Sequence, residues 1–280
     1  MTDNNLLSSI NSKTIAFIGA GNMASAIIAG LIQNQFPSEN ILACNPSVDK
    51  LDFLKQQYKI NTSQNNHDAV DFADIIVLSV KPQIIPAVCE TLSKNSLNEK
   101  LLISVAAGFP TERLEKLLNQ PVAIIRAMPN TPAKIQQGAT GLFANEKTIE
   151  AQKLLAKTIF DSVGVSCFIT DENHMNTVTA IAGSSPAYLF LMMEAMISQA
   201  VTEGMEETTA RQLVSQSFSG AAQLVLADKE TRIADMRKAV TSPKGTTEAA
   251  VNSFLHDKFD KIVQNAVKAA IERGIELGKG

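Results

Sequence analysis

From Lys13 to about Thr170 the chain alternates short apolar, β-rich runs with amphipathic segments. The runs are TIAFIG, NILAC, DIIVLSV, LLISVAA, VAIIRAM and VSCFI, and stretches such as MASAIIAGLIQNQ and IEAQKLLAKTIFDS lie between them. Near-continuous apolar runs of this length are typical of strands buried on both faces, and helical crossovers between them imply a largely parallel sheet. After Asp171 the strand pattern stops. Helical periodicity continues to the C-terminus, interrupted at GSSP (183–186), EGMEET (203–208), DKET (228–231), TSPKGTT (241–247) and HDKF (256–259). The expected fold is α/β: an N-terminal domain with a mainly parallel sheet over residues 1–170, and a C-terminal all-α domain over 171–280, both of ordinary domain size. The helix expected from Pro186 to Val201 is apolar around much of its circumference and needs burial on several sides. A helical domain this small has limited interior, so a partner subunit is expected to cover part of it.

Composition narrows the functional classes. At 45% hydrophobic and 19% charged, with a formal charge of −3, the chain can bury a core but has no basic field to attract nucleic acid. Cys44, Cys89 and Cys167 are far apart in apolar segments, which argues against disulfides and structural zinc and fits a reducing cytoplasm. His67, His174 and His256 lie in separate segments without a second ligand at metal spacing, so no metal site is expected. The opening MTDNNLLSSINSK lacks the basic and apolar regions of a secretory leader. The most apolar helix candidate, AYLFLMMEAMISQAV, carries Glu194, Ser198 and Gln199 and falls short of the roughly 20 apolar residues that span a bilayer. No membrane span is expected.

The first chemical motif is KTIAFIGAGNMASAIIAGL, residues 13–31. An apolar strand runs into Gly19 and Gly21, Ala24 takes the third position of GxGxx[GA], and an amphipathic helix follows, as in Rossmann-type domains. Gly19 permits a tight turn, Gly21 lets a pyrophosphate approach the backbone, and Ala20, Asn22 and Met23 add contacts at a helix N-terminus that attracts anions. An ordinary glycine turn has the same local sequence. The next strand ends in ACNPSVDK, where an acid would hold a free ribose 2′-hydroxyl. Asn45 stands there instead, with Ser47 and Lys50 beyond, which favours NADP over NAD; Asn45 and Ser47 also suit a turn and a helix cap. Strand ends at Ser79–Val80–Lys81–Pro82 and Ala106–Ala107–Gly108 offer small residues against which a flat ring can lie, or serve as strand-to-helix turns. In VAIIRAMPNTPA, Pro129 and Pro132 bracket Asn130 and Thr131 in a short rigid loop.

FIGAGNMA, SVKP, VAAG, RAMPNTPA, AGSSPAY and TSPKGTTEAAV, in this order and spacing, resemble the pyrroline-5-carboxylate reductases, from about Lys13 to Gly278. The resemblance implies a Rossmann domain followed by a helical domain that interlocks with a partner as a homodimer, often in a ring of dimers. It also implies NADPH- or NADH-dependent reduction of the C=N bond of a small cyclic imine to give L-proline. Cofactor contacts carry over to Gly19, Ala20, Gly21, Asn22, Met23, Asn45, Asn66, Ser79 to Pro82, Ala106 to Gly108, and Met128, Pro129 and Asn130. Substrate contacts carry over to Glu230, Gly245, Thr246 and Thr247. A helix start at Thr246 would offer free N–H groups to the substrate carboxylate, and the Thr247 hydroxyl is the candidate catalytic partner of the ring nitrogen. The family commonly has glycine where this chain has Ser185 and Lys244; Lys244 either strengthens anion capture or faces solvent. Two other readings stand beside this one: another imine or hydroxyacid reductase of the same plan, though 171–201 lacks the lysine of hydroxyacid enzymes, and a non-catalytic dinucleotide-binding relative.

Overall fold

The computed structural model describes residues 10–279. The first nine residues, on which the leader expectation largely rests, lie outside that range. Eight strands form one sheet: β1 (Ile15–Ile18), β2 (Ile41–Cys44), β3 (Asn61–Ser63), β4 (Ile75–Leu78), β5 (Leu101–Ser104), β6 (Ala123–Met128), β7 (Gly138–Ala144) and β8 (Gly164–Phe168). Their spatial order is β3-β2-β1-β4-β5-β6-β7-β8, and every pairing is parallel except β6 with β7. The connecting helices are α1 (Asn22–Gln33), α2 (Val48–Tyr58), α3 (His67–Phe72), α4 (Ile85–Leu92), α5 (Thr111–Leu118) and α6 (Glu150–Asp161).

Strand alternation assigns the two cores. Ile15 and Phe17 of β1 join Ile27, Leu31 and Phe160 under α1, α2 and α6. Ala16 and Ile18 join Val88, Leu92 and Leu114 under α3, α4 and α5. Because both faces are covered, β1, β2, β4 and β5 are buried at every position, which is why their sequences read as unbroken apolar runs.

Two strands depart from the sequence expectation. β3 is three polar residues, NTS, recruited by pairing with β2. β7 is GATGLFA, whose glycines and alanines carry little strand preference of their own. It exists because β6 offers it an antiparallel partner.

The expected break at GSSP is a single bend at Ser184 inside a longer helical run. That run covers Glu172–Thr202, 31 residues, and comprises a 3₁₀ turn (Glu172–His174), α7 (Met175–Val178), a π turn (Thr179–Gly183), the bend and α8 (Ser185–Thr202). Pro186 has no N–H for the Ala182 carbonyl one turn back, and a proline inside a helix normally kinks or breaks it. Here the chain widens instead, with the Ser184 N–H donating to Thr179 O at 2.8 Å. The Asn130 amide donates to the Ala182 carbonyl, Nδ2 reaching its oxygen at 3.0 Å. Its Oδ1 accepts from the Ala139 N–H of β7 at 2.9 Å.

The chain forms two compact units, one running to Ser184 and resuming at Ala270, the other Ser185–Ala269. The sequence expectation placed the boundary at 170. Residues 172–183 stay with the sheet because a Cβ on Gly141 of β7 would lie 2.5 Å from Val178 Cγ1, so α7 seats directly on the strand. The second unit holds α8, α9 (Glu207–Ala227), α10 (Ile233–Ala239), α11 (Thr246–His256) and the first part of α12 (Phe259–Lys279). The interruptions at EGMEET, DKET, TSPKGTT and HDKF fall between these helices. Among its described residues only Pro186, Ala210 and Val214 are buried, while Leu191, Leu224, Leu226, Ile233 and Val240 are each about two-thirds exposed. So much apolar surface marks an interaction face. By length and composition alone the Glu172–Thr202 helix is also sufficient to cross a membrane, unlike the shorter segment expected from sequence. Its first part, however, is seated on β7 and begins with Glu172 ion-paired to Arg126 at 3.1 Å.

Replacing Asn130 by Ala removes two buried hydrogen bonds at once. Unfolding in urea should show a loss of roughly 2–3 kcal/mol, whereas an exposed control such as Asn98→Ala should change stability little.

Candidate active site

The strand order reverses between β1 and β4, the position where open α/β sheets bind ligands at their carboxyl ends. Ile18 lies level with Cys44 and with Leu78, and Leu78 with Ser104, so the turns after these strands emerge side by side. Gly19 has φ +101°, and its N–H donates to Cys44 O at 2.8 Å. A Cβ there would come within 2.8 Å of the Ser79 carbonyl oxygen, so only glycine lets the first turn cross the end of β4. Gly21 is different. It adopts an ordinary extended conformation as the cap of α1, and a Cβ would meet nothing within 4 Å. No side chain caps α1, whose first helical bond is Ser25 N–H to Gly21 O at 3.0 Å. The N–H groups of Asn22, Met23 and Ala24 therefore lack helical acceptors, and the space beside Gly21 is open.

Neighbouring strand ends complete this edge. Asn45, after β2, accepts from the Ala20 N–H at 3.2 Å and donates to Ser47 O at 3.3 Å, so its amide braces the glycine turn. Ser47 stands at the start of α2 without a side-chain capping bond, and Lys50 is exposed. Asn66 is half-buried at the start of α3. After β4, the Ser79 hydroxyl is buried without a hydrogen-bond partner, Val80 is half-buried, Lys81 is exposed and Pro82 opens a 3₁₀ turn. After β5, Ala106 is buried, Ala107 is exposed and Gly108 takes φ +68° beside Leu277 near the end of α12. After β6, Met128 lies against Gly183 of the π turn, and Pro129 and Asn130 are buried.

These residues fit a dinucleotide. A pyrophosphate requires unpaired N–H groups and close backbone approach, both present at Gly21–Ala24, and Ser79 carries a buried hydroxyl with no protein partner. Cys44 beneath the turn is no nucleophile: burial, assisted by the nearby Asp68 charge, pushes its thiol up to about 12. Burial likewise pushes Cys89 to about 11.

The remaining predicted residues belong to the other unit. Glu230 is exposed between α9 and α10, its N–H donating to Asp228 Oδ1 at 3.1 Å. Gly245 is the extended cap of α11, and Thr246 and Thr247 are exposed in its first turn. Lys244 is exposed with φ +60°, and its N–H donates to Glu248 Oε2 at 2.8 Å.

One cluster escaped the sequence reading. Arg126 of β6, with only 6% of its side chain exposed, pairs with Glu172, which also accepts from the Thr111 N–H at 2.9 Å and hydroxyl at 2.7 Å. Burial lowers the Arg126 pKa while Glu172 acts to raise it. The available signal was an arginine inside the apolar run VAIIRAM, since an arginine on a covered strand needs a partner.

Comparison with known proteins bears on the whole arrangement. Residues 172–277 match a family model described as pyrroline-5-carboxylate reductase dimerisation, and residues 14–108 match one described as NADP oxidoreductase, coenzyme F420-dependent. A pyrroline-5-carboxylate reductase of Pseudomonas aeruginosa is 42% identical over 96% of this chain and 98% of its own length. The chain belongs to the pyrroline-5-carboxylate reductase family. The Haemophilus influenzae reductase is likewise 42% identical, over 95% of this chain and 97% of its own. A solved reductase structure from Coxiella burnetii superposes with a TM-score of 0.91 at 41% identity, covering 96% of this chain and all of that one. The Plasmodium falciparum reductase, solved with NADP bound, gives 0.84 at 30% identity over 96% and 99% of the two chains.

Two predictions follow from the turn geometry. Gly21→Ala should cost less than about 1 kcal/mol of stability yet weaken NADPH binding by on the order of tenfold, read by fluorescence titration. Gly19→Ala should lose roughly 2 kcal/mol or more in thermal or urea unfolding, from left-handed strain together with the clash at Ser79. At the other site Lys244→Gly should raise stability by about 0.5–1 kcal/mol, because lysine is strained at φ +60°. A rise in KM for the imine with the same variant would place the Lys244 ammonium on the substrate.

Proposed function

We propose that the protein reduces the C=N bond of 1-pyrroline-5-carboxylate to give L-proline, in keeping with relatives named pyrroline-5-carboxylate reductase, with NADPH preferred over NADH as donor. The observation that carries this reading is the meeting of strand-end turns at the reversal of strand order, with free N–H groups at Gly21–Ala24 and the unpartnered Ser79 hydroxyl. Gly21, Asn22 and Met23 would hold the pyrophosphate by backbone N–H groups and helix dipole, while Gly19 and Ala20, whose own N–H groups are bonded to Cys44 and Asn45, shape the turn beneath it. Asn45 keeps that turn in shape. Ser47, Lys50 and the uncharged tip of β2 favour a 2′-phosphate, and Asn66 and Ser79 to Pro82 line the cofactor's path. Ala106 to Gly108 and Met128 to Asn130 flank the nicotinamide end.

NADPH supplies the hydride when bound; the protein binds, orients and handles the proton. Gly245 and Thr246 offer N–H groups of the α11 terminus to the substrate carboxylate, and Glu230 contributes a further substrate contact. The Thr247 hydroxyl hydrogen-bonds the ring nitrogen and relays a proton to it, taking one up from solvent water as it gives its own. A protonated imine is the better hydride acceptor, so this bond promotes the chemical step.

The matching dimerisation model and the exposed apolar face of Ser185–Ala269 support an oligomer. We assign a homodimer as the basic assembly and a ring of dimers as the complete one. A reducing cytoplasm suits Cys44 and Cys89, which stay as free buried thiols.

Initial rates with 1-pyrroline-5-carboxylate should be higher with NADPH than with NADH, and no turnover with either removes the reading. Thr247→Ala should lower kcat by about a hundredfold while the NADPH dissociation constant stays near the wild-type value. An unchanged kcat would exclude Thr247 from proton delivery.

A further inference from the structure

We propose that Glu172 is a positioning residue for hydride transfer, locking the two strand-end turns at the nicotinamide end to one another. The inference rests on the reductase reading above. Oε1 of Glu172 accepts from the Thr111 N–H at 2.9 Å and from the Arg126 guanidinium at 3.1 Å, while Oε2 accepts from the Thr111 hydroxyl at 2.7 Å. One carboxylate therefore joins three separate parts of the chain.

The positions of those parts give the contact its meaning. Thr111 is the first residue of α5 and follows Gly108, Phe109 and Pro110, the exit from β5. Phe109 is buried, with the Arg113 guanidinium 4.6 Å from its ring centre, so the short stretch between Gly108 and Thr111 is anchored in the core. Arg126 is two residues before Met128, on the same side of β6, and lies opposite Ser104 at the end of β5. Glu172 itself opens the helical run whose π turn receives Met128 and the Asn130 amide. The carboxylate thus sets the spacing between Ala106–Gly108 and Met128–Asn130 without touching either segment.

Core packing alone does not require this charge. A buried ion pair stabilises little relative to apolar residues of similar volume, and such replacements are often neutral or favourable. It does impose one geometry, because three donors meet two oxygens. A misplacement of about 1 Å between a donor and its acceptor can cost on the order of a hundredfold in rate, so a single carboxylate at this spot has a direct route to kcat.

The test uses the full-length protein with Glu172→Gln and, separately, the double variant Arg126→Met/Glu172→Met, which removes both charges and keeps the volume. Four readouts are taken: kcat and KM with 1-pyrroline-5-carboxylate and NADPH, the isotope effect on kcat from deuterated NADPH, NADPH affinity by fluorescence, and amide exchange at 106–110 and 128–131. Glu172→Gln should lower kcat about ten- to a hundredfold, leave NADPH affinity within about threefold, and increase the isotope effect. Exchange at both turns should accelerate with no NADPH present. The double variant should melt below the wild type, because the Thr111 N–H and hydroxyl lose their acceptor, yet stay folded at assay temperature with the same kcat loss and the same exchange. A stable double variant with wild-type kcat and unchanged exchange overturns the proposal, and so does a Glu172→Gln defect confined to melting temperature. Failure of the wild type to turn over the imine would count against the reductase reading instead, while the exchange data would still report on the clamp.

Discussion

The parallel register that sets Ile18 level with both Cys44 and Leu78 governs the placement of everything functional in the sheet unit. It brings the turn after β1 over the end of β4 so closely that Gly19 must lack a side chain, and the Gly19 N–H is fixed to Cys44 O. From there α1 starts with free N–H groups at a defined height above the sheet. Carried outward through β5 and β6, the same register places Ser104 opposite Arg126, and with them the turns that flank the far end of the site.

A second constraint links two motifs distant in sequence. Pro186 removes a helical donor, the chain answers with a π turn at Thr179–Gly183, and Asn130 takes over the bond to Ala182. The rigid loop between Pro129 and Pro132 holds that amide in place, since its other end is bonded to Ala139 of β7. The proline-bracketed loop thus supports the helix across from it as well as standing at the strand end. Seen beside Glu172, whose carboxylate joins Thr111 to Arg126, it braces the turns after β5 and β6 from two sides.

Much of the fold was legible in the sequence because buried parallel strands leave a plain trace: TIAFIG, DIIVLSV and LLISVAA can hardly be anything but covered strands. β3 and β7 left no such trace. NTS and GATGLFA pair because a neighbouring strand offers hydrogen bonds, and that offer is not written in their own residues. The site divides in the same way. Glycines at 19 and 21 and the helix start at Thr246 could be read from local chemistry. The commitment of the Asn45 and Asn130 amides to bonds within the protein could not, since their partners lie about 25 and 50 residues away in sequence.

The sequence by itself determined the class of fold, the helix starts at Asn22 and Thr246 and, by resemblance, the family. These follow from periodicity, from glycine and proline geometry and from motif order, all of which are properties of neighbouring residues. Tertiary structure decided that the helical run resumes directly after the bend at GSSP, that residues 172–183 belong with the sheet, and that Arg126 and Glu172 form a largely buried pair. Each of those outcomes depends on a group that another segment supplies: the Asn130 amide, the bare face of Gly141, and the Thr111 N–H. A chain can state its local preferences residue by residue, but hydrogen-bond satisfaction in a covered interior is settled only when distant segments meet.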